Sequence, residues 1–213
     1  TMLCDDNKKN SGNITISVKD YMTEQPVDDV KIAYSSYEET CLIGETQNGE
    51  FKGQFPVMLG GTLNFLKNGY ISYSQRFDTK LDKDDQLKVT LKPILTKKFT
   101  VEKRLMEKKS YGWVLDGIVS LREDEEVSVT LTRKGSLQEG PLAASATYTV
   151  NQTEPSEIDI APGSYDISIN LIYNKEIKIP QSTRSYGGDK FTIDEYTLEK
   201  GFRVGGAFIN HTF

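Results

Sequence analysis

Histidine is almost missing from this chain: His211, close to the C-terminal end, is the only one in 213 residues. A Ser-His-acid triad or a histidine-built zinc site needs an imidazole held inside the fold by a second residue. The sequence therefore gives no catalytic residue, no metal ligand and no cofactor-binding residue to assign, and an enzyme is not expected. Cysteine is scarce as well. Cys4 and Cys41 are too far apart for a Cys-x-x-Cys site, which leaves two readings: a disulfide pinning the N-terminal arm of an exported protein, or two unrelated thiols. Long apolar runs are absent too, since Gly205-Gly206-Ala207-Phe208-Ile209 falls far short of the ~20 residues that span a bilayer. Basic charge is not concentrated: the formal net charge is −5 and lysines are interspersed with acids, so nucleic acid is not an expected partner. The Gly187-Gly188 and Gly205-Gly206 pairs lack the strand-loop-helix setting that cradles phosphate, and read as turns or bulges.

What the chain does have is 11 Tyr and 9 Phe among many Val, Ile and Thr, the composition of half-buried strands. Residues 213 in number suffice for about two domains. Ile14-Thr15-Ile16-Ser17-Val18 and Val30-Lys31-Ile32-Ala33-Tyr34 flank a polar turn at Thr23-Glu24-Gln25-Pro26, which predicts a hairpin or a β-arch. Asn48-Gly49 predicts a tight hairpin between Cys41–Thr46 and Glu50–Phe55. Gln86-Leu87-Lys88-Val89-Thr90-Leu91 alternates with period two and closes the unit before Pro93. Leu95 to Lys109 is lysine-rich and reads as a strand with charged flanks, or as a short helix over 101–109 because Leu105 follows Val101 by four.

The second half repeats this order. Glu126-Val127-Ser128-Val129-Thr130-Leu131 matches the Ile14 strand, Ser145-Ala146-Thr147-Tyr148 matches Lys31 to Tyr34, and Glu157 to Tyr165 matches Glu50 to Thr62 with a shorter loop. The expected fold is all-β, with tandem immunoglobulin-like (transthyretin-like) β-sandwiches. The expected division is a first sandwich over 1–94, a linker or edge segment over 95–125, and a second sandwich over 126–213. The tail from Tyr186 is read as edge strands or the start of a third unit, and the chain as a piece of a longer exported protein.

Three stretches carry a family resemblance: Ile14 to Asp20; Glu24-Gln25-Pro26-Val27-Asp28-Asp29-Val30-Lys31-Ile32; and Gly44 to Phe51, with Lys67-Asn68-Gly69-Tyr70 as a later element. Together they resemble the carboxypeptidase regulatory-like, or transthyretin-like, sandwich. The resemblance is looser in the second half, and Asp29 stands where the family has a small residue. It implies a fold and no active site, because such modules are appended to proteins of many functions.

The remaining motifs point to a surface role. Asn13, Asn151 and Asn210 open Asn-x-Ser/Thr sequons and are glycosylation candidates. Asp82 to Asp85 and Glu123 to Glu126 read as solvated turns before strands, since neither has the spacing that wraps a calcium ion. Trp113, with Tyr34, Tyr37, Tyr70 and Tyr73, is a candidate sugar-stacking face. The expectation is a non-enzymatic extracellular or cell-surface structural or adhesion protein, with other surface proteins, copies of itself or glycans as partners, and no membrane span in the chain. The alternatives are a carbohydrate- or peptide-binding accessory module of a secreted enzyme, and a filament subunit assembled by strand addition.

Overall fold

The computed structural model describes residues 5–37, 39–152 and 154–213. Apart from one 3-10 turn at Asp6–Lys8, its regular structure is strand throughout. The first unit contains β1 (Ile14–Asp20), β2 (Lys31–Ser35), β3 (Thr40–Glu45), β4 (Glu50–Gly53), β5 (Thr62–Leu66), β6 (Tyr73–Arg76) and β7 (Asp85–Leu91). They form two sheets, ordered β4-β1-β7 and β3-β2-β5-β6, with β1 antiparallel to β4 and parallel to β7. Alternation decides which side chains meet. Ile14, Ile16 and Val18 of β1 and Val89 and Leu91 of β7 turn inward, against Ile32, Tyr34, Leu63 and Phe65 of the other sheet.

The polar turn after β1 is an arch. The Asp20 carboxylate accepts the Met22 and Thr23 amides at 2.7 and 2.8 Å, and the Val27 amide returns to the Val18 carbonyl at 3.0 Å. The chain then crosses to the second sheet through Asp29, whose backbone is left-handed (φ 51°). The Asn48-Gly49 turn forms as expected, with φ values of 53° and 72°. The hairpin predicted around it does not, because β3 pairs with β2 while β4 pairs with β1. Thr46 is the cause. Fully buried, it donates to the Val27 carbonyl at 2.7 Å and accepts the Val30 amide at 3.0 Å, which peels the chain from one sheet towards the other.

The second unit begins earlier than residue 126. It comprises β8 (Leu95–Phe99), β9 (Lys103–Lys109), β10 (Gly112–Val119), β11 (Glu125–Arg133), β12 (Ala143–Thr149), β13 (Ser156–Ile160) and β14 (Ser164–Tyr173). The tail adds β15 (Ile177–Ile179), β16 (Ser182–Tyr186), β17 (Asp189–Ile193), β18 (Tyr196–Leu198) and β19 (Phe202–Thr212). A four-stranded sheet, β12-β11-β14-β19, packs against the β13-β8 pair across Leu121, Val127, Val129, Leu131, Ile158 and Tyr165. In segment 95–125, read from the sequence as a linker or edge segment, β8 pairs with β13, and Phe99 and Val101 pack on the second core. No helix forms over 101–109, where β9 pairs with β10 as a separate antiparallel hairpin. Its Lys103 is drawn to Glu125.

The sequence repeat does not extend to strand pairing. The matched strands β1 and β2 lie in different sheets, whereas β11 and β12 pair directly from Glu126↔Thr149 to Thr132↔Ala143. The Arg133 amide, bonded to the Leu142 carbonyl at 2.8 Å, closes that connection back onto its own sheet. Nor does the tail start a third unit. β15–β18 and β16–β17 form an arm of two short ladders, and β19 returns as the edge strand beside β14.

Candidate functional site

The two units are joined through Glu139, in the loop between β11 and β12. That loop lies along β6: the Ser74 amide donates to the Gln138 carbonyl at 2.6 Å, and the Gly140 amide donates to the Ser72 carbonyl at 2.8 Å. One oxygen of the Glu139 carboxylate meets Lys92 of the first unit at 2.8 Å, and the other meets Arg133 of the second. Burial pushes the Glu139 carboxyl up, but Lys92 and Arg133 outweigh it and hold the group below the usual carboxylate range. Arg133 is itself 98 % buried at its side chain, with Nε and Nη2 donating to the Pro162 carbonyl at 3.2 and 3.0 Å. Gly163 makes room for it, since a Cβ there would lie 2.6 Å from Nε. For a pair this far buried, the cost of desolvating the charges offsets most of their attraction.

A groove of about 360 Å³ opens beside the joint, lined by Asp29, Lys31, Lys67, Asn68, Tyr70 and Ser72. The Lys67-Asn68-Gly69-Tyr70 turn forms its wall, closed by the Tyr70 amide on the Lys67 carbonyl at 3.1 Å, with Gly69 at φ 79°. Lys67 pairs with Asp29 at 3.2 Å across it. The Tyr70 hydroxyl donates to Asp20 at 2.9 Å. For the Asp20 carboxyl burial acts upward, yet the Thr23 and Met22 amides and Tyr70 bring it down, while burial and Asp20 together raise the Tyr70 phenol. Such a groove offers cationic and hydrogen-bonding contacts to a small polar molecule.

The aromatic residues proposed as one sugar-stacking face are dispersed. Tyr34 is core, with its hydroxyl donating to the Phe77 carbonyl at 2.8 Å; Tyr37 is exposed; Tyr70 and Tyr73 both pack on the first core, because residues 71–72 between them are not regular strand. Trp113 stands on β10, 63 % exposed, sharing a hairpin face with Met106, Leu115 and Ile118. His211 sits in the β19 ladder opposite Tyr165 rather than at a frayed end, its ring 4.6 Å from that of Phe213. Asn13, Asn151 and Asn210 are all exposed, although Thr153 of the second sequon lies outside the described residues. Cys41 is buried on β3, and Cys4 lies outside the described residues.

Asp82 to Asp85 is an exposed turn leading into β7, whereas the second acidic cluster is partly buried. Asp84 accepts the Asn13 amide at 2.7 Å. Glu125 is buried; burial favours its protonation, but Lys103 and the Arg122 amide outweigh this and lower its carboxyl below the usual range. Among the described residues no cluster has the makings of a metal site. The joint escaped sequence reading because Lys92, Arg133 and Glu139 form no motif. The buried Arg133 was visible only as a charge interrupting an apolar alternation at the end of β11.

No family model matches the chain, and no curated protein matches it. Among solved structures it is similar to a putative carbohydrate binding protein from Bacteroides uniformis, at 12 % identity and a TM-score of 0.33, over 89 % of this chain and 99 % of the other.

Proposed function

We propose that this chain is a non-enzymatic structural or adhesion module of the cell surface or extracellular space: two immunoglobulin-like β-sandwiches in tandem, the first of the carboxypeptidase regulatory-like kind. The Glu139 joint carries this reading. A carboxylate shared by Lys92 and the buried Arg133, with the loop around it bonded along β6, suits a protein that holds two units in one orientation. Surface biotinylation of intact cells tests the compartment, with labelling of the chain expected. Incubation with peptide and glycan libraries tests the activity, with no turnover expected. Turnover abolished by a point substitution, or exclusion from the surface label, overturns the proposal.

A carbohydrate-binding role is the second reading, favoured by the polar groove. Binding on a glycan array that Lys67→Ala removes supports it, and an array with no signal counts against it.

A further inference from the structure

Strand β19 is the longest strand among the described residues and one of the two outer edges of its sheet: it pairs with β14 on one side and with nothing on the other. Edge strands of this length are ordinarily protected by lysine, proline, an inward charge or a bulge. Phe202–Thr212 has neither lysine, proline nor acid, and Arg203 is its one permanent charge. Its bulge lies at the beginning, opposite Leu171 and Ile172, so Gly205 to Thr212 runs in regular register. Apolar side chains stay in solvent on this strand: Phe208 is 69 % and Ile209 43 % exposed. Ile209 sits opposite Ile167, which packs on the second core, so the inner face of the sheet continues past the residues that the β13-β8 pair covers.

We propose that β19 is a docking edge for β19 of a second copy, paired antiparallel about Ala207. Two features select that occupant and that register. The strand has no acid and one arginine, so in this register the two arginines are not opposed: Arg203 faces His211 of the other copy. Size complementarity is the second feature. Antiparallel pairing about Ala207 places Phe208 opposite Gly206 of the second copy, and Ile209 opposite Gly205. The two bulky apolar side chains beside the centre then each lie over a glycine rather than over one another. Gly206 cannot be otherwise, because its own fold holds it at φ 152° with a Cβ position 2.1 Å from the Ile169 carbonyl oxygen. The contact is isologous and closes on itself, giving a dimer with one continuous eight-stranded sheet rather than a filament.

Sedimentation of the full chain tests this through charge at the pseudo-symmetric centre. Ala207 is exposed, and a charge there meets its own copy directly across the two-fold. The wild-type chain is expected to sediment as a dimer. Ala207→Asp and Ala207→Lys each raise the dimer dissociation constant roughly tenfold or more, and an equimolar mixture of the two restores the dimer. Hydrogen exchange at the β19 amides of the wild type slows as concentration rises, a readout that does not depend on either variant folding. A wild-type chain that is monomeric at all concentrations, a dimer indifferent to Ala207→Asp, or a mixture that associates no better than its components overturns the proposal.

Discussion

The first unit is closed and the second is open. In the first, a three-stranded and a four-stranded sheet cover one another, and Ile16, Ile32, Tyr34, Phe55, Leu63 and Phe65 are fully buried between them. In the second, four strands face a two-stranded ladder, Tyr165 is the one large side chain enclosed to the same degree, and β19 projects past its cover. Both halves contain alternating strands separated by turn residues. The difference lies in where the chain changes sheets. Thr46 and Asp29 turn the first unit into a pair of sheets, while the loop carrying Glu139 folds β12 back beside β11 and leaves the opposite layer short.

The contrast is broken most severely in the closed core. Phe65→Ala is expected to destabilise the first unit by about 3–5 kcal/mol, since the cavity has rigid walls on both sides, whereas Ile209→Ala at the open face costs less than about 1 kcal/mol in the monomer. Urea denaturation of the two variants checks the ratio, and equal losses would remove the distinction between the units.

Tyr165 is the enclosed anchor of the open unit. Its hydroxyl accepts the Ala161 amide at 2.8 Å and donates to the Ala161 carbonyl at 3.0 Å. Tyr165→Phe leaves both backbone groups buried and unpaired, and is expected to cost about 1–3 kcal/mol. Thermal unfolding measures the loss, and a neutral substitution would show that water reaches the corner.

Acid separates the joint from the cores more gently. The carboxyls of Glu139 and Glu125 are depressed in the folded chain, so their contribution is complete above the ordinary glutamate value of 4.5 and is lost as pH falls through their lower folded values. Stability is therefore expected to decline from about pH 4.5 downward, and Glu139→Gln to flatten part of that decline. At the small end, Lys109→Ala removes an exposed pair with Glu107 and changes stability by less than about 0.5 kcal/mol.

The strands were legible where one face is core. Ile14 to Val18, Leu87 to Leu91 and Val127 to Leu131 alternate because each has a buried side, Lys31 to Tyr34 is an apolar run buried over three consecutive residues, and the turns at Asn48-Gly49 and Gly69 stand where left-handed backbone is needed. Pairing was not legible. Whether a strand joins its neighbour or crosses to the facing sheet depends on single buried bonds such as those of Thr46, and these leave no periodic trace. The strand β9 alternates too weakly to exclude a helix, since almost every residue in it is exposed. The joint and the groove unite residues from separate loops, and neither has a local signature.

Spin labels on unnatural side chains at the exposed positions of Lys52 in the first unit and Glu157 in the second report on the joint directly. A fixed orientation gives one narrow inter-label distance at neutral pH that broadens in Glu139→Ala. A broad distribution in the wild type, or a narrow one that Glu139→Ala leaves unchanged, contradicts a joint held by Glu139.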